Sequence, residues 1–597
     1  MKLLKLKSKC LLFLSLLCIG VVAAGCNSTS SSGRIITHVE MDDPTGDTLS
    51  NWSGVEEGLK GSVVSIDLKH PRSILPEVEQ ENNIVLTGWK GETLSAQVLL
   101  WNSVATDDVG YTFSDFQTEG NTLQSSIARA RFVRYTMSEE ENFVCRMREE
   151  ENEFGLVLMP DLLDSLNRFN MEPNQVRPVW LTIKIPSSAS AGRYEGVFTV
   201  NSKNGDLIEF PISLNVQDRT LPPAYEWTYH LDLWQHPSAV ARYAGLEFWS
   251  DAHFEKMKPL MQMLADAGQK VITANLNKDP WHNQCYDAYE SMITWTKNKD
   301  NSWSYDYTVF DKWVSFMFDL GIDKMINCYS LLPWNNELEY VDAASDSIIT
   351  VVADPGTEVF TELWAPFLTD FTKHLKEKGW LEITNIAMDE RSPEMMSEAM
   401  KLLEQYAPDL GISLADNHKS YQNYPMIEDI TVKVNAKVDE KDIEFRRQNN
   451  LITTYYVCCS DPFPNMFTFS PSAESCYSAW YSYAAGYDGM LRWAYNSWPE
   501  DPVLDSRFRK FPSGDTYFVY PDGRSSIRFE RLIEGIQDVE KIKILKAEFQ
   551  SSNSAESSAK LETLNSEVQK FNVIGKPDTA VEQMLKEAKQ VVNKLSE

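Results

Sequence analysis

Leu381 to Glu390, LEITNIAMDE, is a short apolar run that ends in two adjacent carboxylates. Leu381, Ile383 and Ile386, with β-branched Thr384 among them, predict a buried strand. Arg391-Ser392-Pro393 followed by EMMSEAMKLLEQY predicts a turn and then a helix. In a barrel built of such strand-loop-helix units the catalytic groups sit in the loop after the strand, so Asp389 and Glu390 are expected at the mouth of an active site. The pair alone carries little weight, because Asp439-Glu440 is another in the same acidic chain.

From Ala224 onward the pattern repeats. Strands are predicted at Glu226 to Trp234, Val271 to Asn277, Lys324 to Trp334, Leu381 to Glu390, Gly411 to Asp416, Ile430 to Asn435, Leu451 to Cys459 and Gly489 to Trp498. Helical stretches such as FEKMKPLMQMLADAG and FTELWAPFLTDFTKHLKEKG separate them, several closed by Gly after the last turn. Eight strand-helix repeats are the count of a (β/α)8 TIM barrel, and parallel strands covered on both faces account for the near-continuous apolar runs. Leu338 to Val352 interrupts the third unit and is expected as an inserted hairpin beside the mouth.

Residues 34–222 read instead as all-β. Short runs such as NIVLTGW, LSAQVLLWN, PVWLTIKI and GRYEGVFTV lie between turn signals, which predicts a β-sandwich. The helix-like patch DLLDSLNRF is expected in a connecting loop, and Trp52, Trp89, Trp101 and Trp180 in the core. Leu221-Pro222-Pro223 marks the boundary, giving a sandwich at 34–222, a barrel at 223–523 and a small helical region at 524–597. There Ser525 to Phe549 has helical i to i+4 apolar spacing.

The chain opens with Lys2, Lys5, Lys7 and Lys9, an apolar run from Leu11 to Ala24 too short to span a bilayer, and Ala23-Ala24-Gly25-Cys26. This order resembles a bacterial lipoprotein signal. The resemblance implies cleavage before Cys26 and lipidation of that residue, with 26–33 as a Ser-rich tether. The mature protein is then expected at the cell envelope, held to the outer membrane by acyl chains. The 597 residues carry 56 basic and 86 acidic side chains, a net charge of −30, and loss of the four signal lysines takes it to −34. Such a surface repels nucleic acid. Six cysteines outside the leader show no zinc or redox spacing, and with Cys328 and the vicinal Cys458-Cys459 in apolar runs they are expected as buried free thiols.

The predicted strand ends gather polar and aromatic side chains: His230, Asp232, Trp234 and His236; Asn275, Asn277 and Trp281; Tyr329 and Trp334; Asn417; Tyr455 and Tyr456; Arg492, Trp493, Asn496 and Trp498. Aromatic faces stack on a pyranose while Asp, Asn, His and Arg pair its hydroxyls, so a sugar site is expected. No cofactor is expected. His230, Asp232 and His236 do not have metal-ligand spacing, and neither a serine elbow nor a phosphate-binding glycine loop stands in a suitable place.

At Met388-Asp389-Glu390, RWAYNSWPEDP (Arg492 to Pro502), SGDTYFVYP and GRSSIRFERLIEGIQDVEKI (Ser513 to Ile542) the sequence resembles glycoside hydrolase family 123. The resemblance implies a retaining, exo-acting β-N-acetylgalactosaminidase with a β-sandwich ahead of a TIM barrel. It also suits an adjacent pair of carboxylates. In substrate-assisted hydrolysis the sugar's own 2-acetamido oxygen attacks the anomeric carbon through an oxazolinium intermediate, so the protein supplies one acid and one carboxylate that steers the acetamido nitrogen. The family match makes Glu390 the general acid and base and Asp389 the orienting group. Two like charges so close are expected to keep Glu390 protonated while Asp389 stays ionised. Neighbours on a regular strand point oppositely, so a backbone irregularity is expected there.

Tyr455 is the candidate partner for the acetamido oxygen, Trp493 and Trp498 for the wall around the sugar, and His230, Asp232, Asn275 and Asn496 for its hydroxyls. The glycan is the expected partner, with the membrane reached through the lipid. Alternatives are a β-N-acetylglucosaminidase or another acetamido-sugar hydrolase on the same fold, and a lipid-anchored glycan-binding protein without activity.

Overall fold

A computed structural model describes residues 39–45, 50–434, 436–552 and 554–597. The signal segment, the lipidation residue Cys26 and the tether lie outside the described residues. Among the described residues no helix is long and apolar enough to cross a membrane.

The N-terminal part is two β-sheets face to face. One has five strands, in the order Lys60–Val64, Thr93–Asn102, Gln175–Lys184, Ala128–Ser138, Val157–Leu163. The other is built around Ile84–Lys90, Leu207–Thr220, Gly192–Asn201, Thr106–Phe113 and Arg168–Met171. Val98, Leu100, Val179 and Leu181 from the first pack against Phe198, Phe210 and Leu214 from the second, the alternate inward positions of a sandwich. The patch DLLDSLNRF is not helical. Leu162 and Leu163 pair with Arg134 and Val133, and the chain turns at Asp164 into the next strand. Helical spacing lost to the pairing edge that strand Ala128–Ser138 offers, the usual outcome when tertiary contacts oppose a short local preference.

The central part is a ring of eight parallel strands: β1 His230–Leu233, β2 Val271–Asn275, β3 Met325–Tyr329, β4 Thr384–Asp389, β5 Gly411–Asp416, β6 Asp429–Lys433, β7 Ile452–Tyr456 and β8 Gly489–Arg492. Several are shorter than their apolar runs. Leu381–Ile383, for instance, is a 3-10 turn, with Thr384 Oγ1 donating to the Trp380 carbonyl at 2.8 Å, and β4 begins only at Thr384. After β4, Ser392 caps the helix Pro393–Tyr406 by accepting the Met395 N–H, with Pro393 at its first position. The inserted hairpin is present as Glu337–Asp342 with Ser347–Val352, enlarged to four strands by Thr294–Lys297 and Trp303–Asp306.

Backbone ladders join every neighbouring pair of the ring except β1 and β2. There a single bridge between Leu231 and Gln269 remains, and two glutamines do the rest. Gln269 accepts the Leu233 N–H at 3.0 Å and donates to the Val271 carbonyl at 2.7 Å. Gln235 accepts the Thr273 N–H at 2.8 Å and donates to the carbonyls of Leu233 and Val271. Side-chain amides thus satisfy backbone groups that a ladder would otherwise pair.

Helix Ile527–Ser551, packed on the barrel helix Ser472–Ala484, locks barrel and sandwich together through buried ion pairs. Arg528 meets Asp161 at 3.0 Å, Lys541 meets Glu92 at 2.9 Å and Arg131 meets Glu530 at 2.9 Å. A covalent tie adds to them. Cys145 is disulfide-bonded to Cys459 with Cα atoms 5.4 Å apart, which corrects the expectation of free thiols for this pair. Cys145 lies in a sandwich loop more than three hundred residues from Cys459, so no local spacing announced their approach. Cys285, Cys328, Cys458 and Cys476 are free.

Candidate active site

β4 ends at Asp389, and the next residue, Glu390, has φ +47. Left-handed backbone costs a non-glycine residue about 1 to 2 kcal/mol. Its N–H still donates to the Ala415 carbonyl of β5 at 2.9 Å, so the ladder fixes the position while the backbone turns. The result is the irregularity the adjacent pair required: both side chains open into one cavity of about 510 Å³ at the C-terminal ends of the strands. That volume suits a sugar-sized ligand.

The walls are aromatic. Trp234 follows β1, Trp281 the β2 loop, Trp334 the end of β3, Tyr456 ends β7 and Trp493 follows β8. Trp234 packs against Trp281 at 4.8 Å between ring centres, both rest on buried Tyr329 at 4.6 and 5.0 Å, and Trp493 meets Phe511 edge-on at 5.1 Å. The Tyr456 hydroxyl donates to Glu390 Oε1. Arg391 donates from Nε to the Asp389 carbonyl at 3.1 Å and lies over the Trp334 ring at 5.6 Å. Among the described residues lining the cavity, Asp389 and Glu390 are the only acids.

The electrostatics correct one expectation. Asp389 was expected to stay ionised, yet burial, and after it the neighbouring Glu390, push its carboxyl up to about 7. Arg391 and the indoles of Trp281 and Trp334 pull the other way without cancelling the shift. Burial first, and then Glu390, also pushes the Tyr456 phenol up, which keeps it a donor.

Of the residues proposed from sequence, Asp389, Glu390 and Trp493 line the cavity. Tyr455 does not. Successive strand residues face opposite sides, and with Tyr456 facing inward Tyr455 faces the helices. Its hydroxyl donates to the Ser478 carbonyl at 2.9 Å and its ring packs on Tyr481 at 4.9 Å. Trp498 is buried, its indole donating to the Val519 carbonyl at 2.6 Å. Asn496 accepts the His236 N–H at 2.9 Å and donates to the His236 carbonyl at 3.0 Å, so it shapes the loop after β1.

His230, Asp232 and Asn275 are buried and do not line the cavity. They belong to a polar barrel interior in which Asn327 donates to Asp429 at 2.9 Å and to Ser413 at 3.0 Å, while Asn385 donates to Asn327 at 2.9 Å. Burial, and then Asp429, holds the Asp232 carboxyl well above the usual range, which favours its neutral form. The strand-end pattern was right about which face these residues occupy and wrong about depth. Among the described residues, no group of three or more His, Cys, Asp or Glu side chains is placed to hold a metal ion.

One part of the wall was not anticipated. Arg146 and Met147 come from the sandwich loop and reach the cavity because the Cys145–Cys459 bond holds that loop at the mouth.

Two family models match the sequence: the glycoside hydrolase 123 catalytic domain over residues 234–545 and the glycoside hydrolase 123 N-terminal domain over 63–202. Among solved structures, a family 123 glycoside hydrolase from Clostridium perfringens, described for glycolipid glycan hydrolysis, matches with a TM-score of 0.80 at 26% identity. The match covers 90% of this chain and 98% of that one. A Bacteroides ovatus GH5 xyloglucanase aligns over 80% of this chain and 100% of its own, at 10% identity and a TM-score of 0.30. No curated protein matches.

Proposed function

The chain belongs to glycoside hydrolase family 123 and is a glycosidase, and from that premise we propose that it releases terminal β-linked N-acetylgalactosamine from glycans, with retention, by substrate-assisted catalysis. The observation that carries this reading is the adjacent pair in one pocket. A retaining enzyme with a protein nucleophile holds its two carboxyl groups about 5 Å apart on opposite sides of the anomeric carbon. Here the cavity's two acids are neighbours on one strand end, and no third faces them among the described residues.

In the proposed reaction the 2-acetamido oxygen forms a bond to the anomeric carbon as the glycosidic C–O bond breaks. Glu390 gives its proton to the leaving oxygen and later takes one from the water that opens the oxazolinium, restoring the original configuration. Asp389, when ionised, accepts the acetamido N–H and stabilises the positive charge on the ring. Trp234, Trp281 and Trp334 supply an apolar wall. Tyr456, which holds Glu390 in the free enzyme, replaces Tyr455 as the phenol nearest the reaction.

The test is hydrolysis of 4-nitrophenyl β-GalNAc, β-GlcNAc and β-galactoside by the mature protein and by Glu390→Gln. The expected result is turnover of the β-GalNAc substrate, a fall of about 10²- to 10⁴-fold in the variant, as for loss of a general acid, and no turnover of the galactoside. Cleavage of the galactoside would demand a protein nucleophile and overturn the mechanism.

The proposal extends to an envelope location through a lipid on Cys26, supported by the basic, apolar and small-residue order ahead of it. Fatty-acid labelling that disappears in Cys26→Ser is the expected outcome.

A further inference from the structure

We propose that Lys510 is a recognition point for an anionic substituent, so that the preferred substrates are β-linked acetamido sugars bearing a sulfate on the sugar or a carboxylate on the residue it is attached to. The inference rests on the hydrolase reading above. Three cations line the cavity: Arg146, Lys433 and Lys510. Two are engaged by acids. Arg146 pairs with Glu153, and Lys433 lies 3.5 Å from buried Asp461 and donates to Ser460 Oγ at 3.1 Å.

Lys510 differs. Among the described residues its ammonium makes no ion pair, and its one hydrogen bond is to a neutral acceptor, the Asn283 carbonyl, at 3.4 Å. In that turn the Asp279 carboxylate accepts the Asn283 N–H at 2.8 Å and the Asp279 carbonyl accepts the His282 N–H at 2.9 Å, and among the described ion pairs none joins Asp279 to Lys510. An ammonium has three donors, so two remain for a ligand.

Placement supports the same conclusion. Lys510 precedes Phe511, which braces Trp493 in the cavity wall, and its contact with Asn283 is solvent-exposed. The cation therefore stands at the rim, spanning the loops that follow β8 and β2, where substituents of a bound sugar and the next residue of the glycan emerge. In a chain of net charge −30, an ammonium without a carboxylate partner at the entrance draws anions to a surface that otherwise repels them.

The test uses matched pairs: 4-nitrophenyl β-GalNAc with and without a 4- or 6-sulfate, and β-GalNAc-(1→4)-glucuronate beside β-GalNAc-(1→4)-glucose. The readout is the ratio of kcat/KM for the anionic over the neutral member in wild type, Lys510→Gln and Lys510→Arg. The expected result is a preference of about tenfold in at least one pair, which corresponds to about 1.4 kcal/mol. It should shrink with added salt, vanish in Lys510→Gln and survive in Lys510→Arg. The pair that responds identifies the source of the charge. No preference in wild type, or one that survives in Lys510→Gln, overturns the proposal. Calorimetric titration of the same compounds into both proteins keeps the two readings apart. If none of these sugars is hydrolysed the β-N-acetylgalactosaminidase reading falls, while tighter binding of an anionic member that Lys510→Gln abolishes would still uphold the cation's role, and equal binding would refute it.

Discussion

Replacing Asp389 by Asn should stabilise the protein at neutral and alkaline pH while disabling it. Folding takes the Asp389 carboxyl from an ordinary value of 3.8 to about 7, chiefly through burial. A carboxyl whose folded value is raised binds its proton more tightly folded than unfolded, so stability falls as pH climbs from the unfolded value to the folded one. At about 1.36 kcal/mol per unit, the full shift is worth roughly 4 kcal/mol. Asp389 faces a cavity that water enters, so a figure of about 2 to 4 kcal/mol is expected. Well below pH 3.8 the wild-type carboxyl is neutral in both states, and even at pH 3.5 the Asn variant gains little. Above pH 7 the wild type bears the whole cost and the variant none of it. Unfolding midpoints of both proteins, measured from pH 3.5 to pH 8.5, should therefore separate progressively and then run parallel. A difference that is constant with pH, or largest in acid, would refute the assignment of the raised group to Asp389.

The other perturbations separate neighbours that the sequence alone cannot. Tyr456→Phe removes the hydroxyl that holds Glu390, and an intramolecular hydrogen bond is worth about 0.5 to 1.5 kcal/mol net, so kcat/KM should drop by roughly two- to tenfold. Tyr455→Phe removes a second donor from the Ser478 carbonyl, which lies within the helix Ser472–Ala484, and should cost about 0.5 to 1.5 kcal/mol of stability with kcat altered only a few-fold, as thermal unfolding and initial rates will show. Cys145→Ser should destabilise the protein by about 2 to 5 kcal/mol, and it should raise KM more than it lowers kcat because Arg146 and Met147 leave the cavity wall.

The barrel was legible because eight strand-like runs alternate with helical stretches along one length of chain, and LEITNIAMDE placed the carboxylates because a strand end at a barrel mouth is a defined location. Depth was not legible. His230 and Asp232 alternate with Leu231 and Leu233 as interior residues should, but nothing in HLDL says whether a polar side chain reaches the mouth or joins Asp429 below it. In the Tyr455-Tyr456 doublet the face is set by strand phase, and one residue of error exchanges a wall of the pocket for a contact with a helix. Arg146 and Met147 were invisible for another reason: their position depends on pairing two cysteines far apart in the chain.

The glutamine-stitched seam between β1 and β2 bears on how this pocket can change over generations. Main-chain ladders tolerate almost any side chain, whereas Gln235 and Gln269 hold their seam only as long as they remain glutamine. Trp234, just past β1, and Trp281, in the loop after β2, pack against each other across that seam to form one side of the cavity. A lineage could thus alter the width of its sugar cavity by editing two amides and leave the other seven strand junctions as they are.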